Sequence, residues 1–199
     1  PDVEAGAETL AWTEPAGFQD VVTDADEQGN VVMARVGLAM PFAEWALVLR
    51  NVRTGEARTL ASSDPAVPQL ADFDPGLPLG FAPWPSLANG RVAWAEYRVD
   101  ESAELGREVR LYDVDTGVTT VVASGPADGE GSVSSPSAGG ERVAWLEEGG
   151  PSDQLVVDDL GNGTSARFAA EGRVFDATLD DPGKVLGWSV EGTGKMLRD

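Results

Sequence analysis

Chemistry in this chain would have to come from carboxylates. There are 34 Asp and Glu residues but no histidine and no cysteine. That excludes Ser-His-Asp and Cys-His nucleophiles and imidazole acid–base work within these 199 residues. It also removes the usual zinc ligands. Paired carboxylates occur at Asp72 and Asp74, Glu147 and Glu148, Asp158 and Asp159, and Asp180 and Asp181. Glycoside hydrolysis needs two carboxyls across a substrate, but so acidic a chain produces such pairs by chance, so no catalytic residue is assigned. Asp24, Asp26, Gln28 and Asn30, with Gly29 between them, have the alternating oxygens of half a calcium loop. Arg35 stands where the closing carboxylate would be, and an Asx-rich turn explains the same residues. No cofactor is required, and calcium at this loop is the one ion the pattern could accept.

Aromatic residues are the other candidates. Trp12, Trp94, Trp145 and Trp188 recur at one position of a repeat and are expected to pack in the core. Trp45 and Trp84 are out of register. Trp84 sits among prolines at Phe81-Ala82-Pro83-Trp84-Pro85, and Phe73 lies between Asp72 and Asp74. Aromatics on loops are candidates for recognition, so the candidate binding residues are Phe73, Trp84, Trp45, Asp72 and Asp74.

The elements that position these residues come from a repeat. Ala138–Glu147 reads AGGERVAWLE, Ala5–Glu14 AGAETLAWTE and Ala88–Glu96 ANGRVAWAE, and Lys184–Trp188 (KVLGW) is a shorter echo. A period of about 40–50 residues signals stacked or radially arranged modules. Glu44–Arg53, Val109–Asp113 and Leu155–Leu160 each lead through a Gly-containing turn to a returning strand, which makes three hairpins of one design. Val21–Thr23 and Val31–Val36 read as a hairpin inserted in the first unit, and Thr9–Trp12 as that unit's Trp-ending strand. Ser62–Pro85 and Ser124–Ser137 read as connections between units, because proline forbids central-strand pairing. No segment has capped helical periodicity. The expected fold is all-β and β-propeller-like, with four units of short antiparallel strands, at about 1–65, 80–124, 132–170 and 171–199. The last unit is incomplete: two strands, Arg173–Thr178 and Val185–Val190, with a third only starting at the end.

Hydrophobic residues are 42% of the chain, enough for a real core. Fourteen basic against 34 acidic residues give a net charge of −20, which repels nucleic acid and anionic lipid. No apolar run is long enough to cross a bilayer. The chain opens at Pro1 without Met, which reads as a processed product or a fragment whose export signal or anchor lay upstream.

The pattern Pro136-Ser137, Arg142-Val143-Ala144-Trp145, Leu155-Val156-Val157-Asp158 and a Gly turn resembles the repeat of TolB-like propellers. The copy at Pro85–Trp94 with Leu111-Tyr112-Asp113-Val114-Asp115-Thr116-Gly117 is closer still. The likeness covers about three quarters of the chain and departs at Ala16–Ala43 and in the fourth unit. It implies an extracytoplasmic location, secreted, periplasmic or membrane-anchored, and a non-enzymatic role in binding or scaffolding proteins. The repeat itself is structural and supplies no catalytic residue, and the partner, protein or glycan, is not named by it. Two other readings stand beside it: the non-catalytic propeller of a larger hydrolase, and a carboxylate-based glycan-active enzyme. An open sheet edge on the fourth unit would also allow self-association.

Overall fold

The structure is a computed structural model that describes residues 13–38, 44–63, 83–148 and 152–169, with 172, 174–180, 182–184, 186–190 and 194–198; at 175, 189–190 and 194–198 it describes the backbone alone. Every regular element among the described residues is a strand. The first sheet holds β1 (Phe18–Ala25), β2 (Asn30–Gly37), β3 (Trp45–Asn51) and β4 (Ala57–Ser62). The second holds β5 (Ser86–Ala88), β6 (Arg91–Val99), β7 (Leu105–Asp113) and β8 (Thr119–Pro126). The third holds β9 (Ser132–Gly139), β10 (Arg142–Glu148), β11 (Gln154–Asp159) and β12 (Thr164–Ala169). The fourth has three strands, β13 (Val174–Leu179), β14 (Leu186–Val190) and β15 (Gly194–Arg198). Each sheet is an antiparallel meander in chain order, so each is one propeller-type blade.

A blade alone leaves both faces wet, and its neighbours complete the burial. Val32, Leu47 and Leu49 of the first blade meet Leu87, Val92 and Trp94 of the second. Ala93, Val109 and Leu111 of the second meet Val133, Val143 and Trp145 of the third. Ala144, Leu146 and Leu155 of the third meet Leu179, Leu186 and Trp188 of the fourth. Trp94, Trp145 and Trp188 therefore each face the preceding blade, as core residues. Each such ring contributes about 4–6 kcal/mol of transfer free energy. Trp12 lies outside the described residues.

Three expectations need correction. The Val21–Val36 hairpin is no insertion: as β1 and β2 it forms the first two strands of blade one. The register makes the reason plain. Met33 opposite Val48 stands where Trp94 stands opposite Arg110 and Trp145 opposite Val156, so a fully buried methionine fills the tryptophan position. The connection read over Ser124–Ser137 is mostly strand, leaving only 127–131 between β8 and β9. Pro126 closes β8, and Pro136 sits on the innermost edge strand, next to Ser135 at positive φ, where no ladder bond is lost. The fourth unit has a complete third strand, β15, beyond the two expected.

Candidate functional site

The blades have two chemically different ends. At one end the turns before β2, β6 and β10 lie beside the hairpins that follow β3, β7 and β11. The N–H groups of Val52, Val114 and Leu160 donate to the carbonyls of Gly29, Gly90 and Glu141. Asn51, Asp113 and Asp159 begin the hairpins. Their carbonyls accept from the N–H groups of Gly55, Gly117 and Gly163 at 2.8, 2.9 and 2.8 Å, and these glycines lie at φ of 79°, 72° and 68°, where a side chain is strained. Their Oδ1 atoms accept further N–H bonds, from Arg53 and Thr54, from Thr116, and from Gly161 and Asn162. The Thr116 amide and hydroxyl hold the Asp113 carboxyl below its ordinary range, and the Asn162 amide does the same for Asp159.

The residues of the expected half calcium loop sit at this end. Asp26 accepts from the backbone N–H and the Nδ2 of Asn30, both at 2.8 Å. Asn30 is buried, and its Oδ1 accepts from Asn51 Nδ2 at 3.0 Å. Gln28 contributes its carbonyl to the same Nδ2. Asp24 points elsewhere: its Oδ2 accepts from Leu87 N–H of the second blade at 2.8 Å. The loop is thus a closed hydrogen-bonded turn plus one inter-blade bond. Among the described residues there is no group of three or more acidic side chains placed to hold a metal ion.

That inter-blade bond repeats. Ser86 Oγ accepts from Ala138 N–H at 2.7 Å, and Ser137 Oγ accepts from Leu179 N–H at 2.9 Å. Asp24, Ser86 and Ser137 hold one position on successive innermost strands, and each receives the amide of the next blade. Arginine forms a second link: Arg91 donates to the Gly140 carbonyl and Arg142 to the Gly183 carbonyl, at 2.8 and 2.9 Å. Glycine permits the approach, since a Cβ on Gly139 or Gly183 would lie 2.3 or 2.1 Å from a backbone oxygen of the facing blade.

At the opposite end the charged side chains differ from blade to blade. Two residues beyond the Met/Trp position stand Arg35, Glu96 and Glu147. Arg35 forms a two-bond pair with Asp20, at 2.7 and 2.8 Å, which raises the guanidinium's pKa. Glu147 pairs with Arg167. Glu96 is the most deeply set, its side chain 1% exposed. Its Oε1 lies 2.7 Å from Arg98 Nη2 and 2.7 Å from Arg110 Nε, and Arg110 also meets Glu108. Glu96 Oε2 is buried without a partner. On the other face of β6 and β7, Arg107 lies over the Tyr97 ring at 5.2 Å, and Glu148 accepts from Ser134 Oγ at 2.8 Å. Sequence reasoning missed the Glu96 cluster. Its signal was Glu96 and Arg98 on one strand with Glu108 and Arg110 on the next.

Trp84 belongs to this end. Ser86 pairs with Ala93, so the chain just before β5 runs toward the Glu96 end of β6. Pro83 and Pro85 are buried, while Trp84 between them is 57% exposed. The prolines fix the backbone and leave the indole in water. Trp45 instead opens β3, half-buried against the core of blades one and two. Asp72, Phe73 and Asp74 lie outside the described residues. A groove of about 310 Å³ runs between blades three and four, lined by Arg142, Val157, Asp159, Phe168, Lys184 and Leu186 among others.

This arrangement of blade sheets, each closing its core against the next, defines a β-propeller fold. Solved structures share it, among them these two. TolB from Acinetobacter baumannii is 16% identical, with a TM-score of 0.51 over 90% of this chain and 40% of that one. The β-propeller domain of the Trilobed protease from Pyrococcus furiosus, described as having an open velcro topology, is 8% identical, with a TM-score of 0.56 over 94% of this chain and 56% of that one. The chain thus spans about half the length of these structures, and identities this low show the fold alone. No family model and no curated protein matches the sequence.

Proposed function

We propose that the chain is a non-enzymatic binding or scaffolding propeller module that works outside the cytoplasm and engages a protein partner through the loop end of its blades. The observation that carries this reading is Trp84, a large aromatic held in water between two buried prolines. An indole on a fixed backbone offers contact area with little conformational entropy to lose on binding. Around it the blades differ from one another, as a recognition surface requires, whereas their hairpin end repeats. The extracytoplasmic location rests on the TolB-like repeat, and the fold shared with TolB is consistent with it. The test compares wild type and Trp84→Ala, immobilised at equal loading, for proteins retained from a cell-envelope extract. Retained proteins that fall at least tenfold on the variant support the proposal. An identical retained set on both proteins sinks it.

A further inference from the structure

We infer that the joint between blades one and two is a hinge, at which blade one parts from blade two. The inference is independent of the proposed function and rests on comparing three equivalent joints. The second and third joints each have two polar links at their inner strands. Ser86 and Ser137 receive the amides of Ala138 and Leu179, and Arg91 and Arg142 clasp the carbonyls of Gly140 and Gly183. The first joint keeps the amide link, from Leu87 N–H to Asp24 Oδ2. At the position of the clasping arginines it has Asn30, which stands to Met33 as Arg91 stands to Trp94 and Arg142 to Trp145. Asn30 Nδ2 is bound to Asp26 within blade one, and the side chain is too short to reach as an arginine does. The turn that would accept a clasp exists: Asn89 stands where Gly140 and Gly183 stand, all three at positive φ.

Two further features agree. The strand that carries Leu87, β5, has three residues, where β9 has eight and β13 six. A strand held by so short a ladder opens locally at low cost. The outer strands of the first joint are tied, with Arg58 of β4 donating to the Tyr112 hydroxyl of β7. Blade one therefore pivots at its outer strands and opens at its inner ones. A carboxylate is a stronger acceptor than a hydroxyl, but Asp24 is only half-buried and water competes for it, whereas Ser137 is buried.

The experiment is native-state hydrogen exchange by NMR on the full chain, read at the equivalent amides of Leu87, Ala138 and Leu179. In the wild type Leu87 is expected to be less protected than either of the others by about fivefold or more. A smaller difference, or the reverse order, overturns the inference and shows that the Asp24 carboxylate makes up for the missing clasp. Asn30→Arg with Asn51→Asp copies the Arg142–Asp159 pair in the first blade. It is expected to raise the protection of Leu87, and a folded double variant without that gain overturns the inference. Arg91→Met takes the clasp from the second joint and keeps the test open should the double variant fold poorly, with a cooperative melt as the check. It is expected to lower the protection of Ala138 by about fivefold or more. An Ala138 amide as protected in this variant as in the wild type shows that the clasps do not hold the joints, and overturns the inference too.

Discussion

The hairpin end and the loop end of the blades are built from the same strands but by different rules. At the hairpin end an Asn or Asp and a positive-φ glycine close the β3–β4, β7–β8 and β11–β12 turns with the same bonds. At the loop end the equivalent positions hold Arg35 with Asp20, Glu96 with two arginines, and Glu147 with Arg167, and an exposed tryptophan, Trp84, precedes the second blade. Uniform chemistry at one end answers a uniform demand, which is folding each blade. Varied chemistry at the other is free of that demand. This contrast separates the residues that hold the fold from those available for recognition.

The largest expected effect lies between the two ends and belongs to both. Trp94 fills the space between blades one and two, and Trp94→Ala leaves a cavity against Val32, Leu47 and Leu49. It should cost about 3–5 kcal/mol, read as a lowered urea midpoint. A loss below about 1 kcal/mol would mean that the blades do not share a core.

Next in size is the inter-blade amide bond. Ser137→Ala strips the acceptor from the buried N–H of Leu179, which should cost about 1–3 kcal/mol. Ser137→Thr keeps a hydroxyl and should recover part of that loss. If Ala and Thr variants melt alike, the hydroxyl is not what joins blades three and four.

The contrast also explains what could be read from the chain. The hairpins were legible because Asx–Gly chemistry is local: Asp113 and Gly117 lie within one turn. The Trp repeat showed the blade count but not the strand order of the first blade. Met33 does the work of tryptophan there without looking like it, so a real strand pair, β1 and β2, read as an insertion. Asp24 resembled a metal ligand because its neighbours in sequence are oxygens, yet its partner is an amide 63 residues away. The Pro-Ser pairs at Ser86 and Ser137 marked the same device, but only the next blade shows what the hydroxyl is for. At the loop end no local rule operates. There Trp84 was identified by its proline setting, while the Glu96 cluster stayed hidden.

The turn carboxylates give a smaller effect with a defined sign. Asp113 and Asp159 have native pKa values below the ordinary 3.8, mainly because amide donors favour the ionised form. Their contribution is therefore complete above that value and is lost as pH falls through the lowered native values. Asp113→Asn with Asp159→Asn keeps an acceptor oxygen but cannot titrate. The wild type should melt above the double variant near neutral pH, and the gap should close as the solution is acidified below about pH 4. A gap of constant size would show that the carboxylates act through geometry alone.

The smallest effect on stability is expected at Trp84, and that is what makes it informative. The indole is largely in water, and the prolines on either side, not the ring, hold the backbone. Trp84→Ala should leave the melting temperature within the shift produced by about 0.5 kcal/mol, while removing the surface proposed to hold the partner. Wild-type fluorescence should also lose a readily quenched component in acrylamide when Trp84 is replaced, since Trp94, Trp145 and Trp188 are buried. A Trp84→Ala protein that melts several degrees lower would place the ring in the core and return it to the side of the fold. A protein that melts like wild type but no longer retains its partner would show that the loop end is free to vary because the hairpin end and the inter-blade core already suffice to hold the blades.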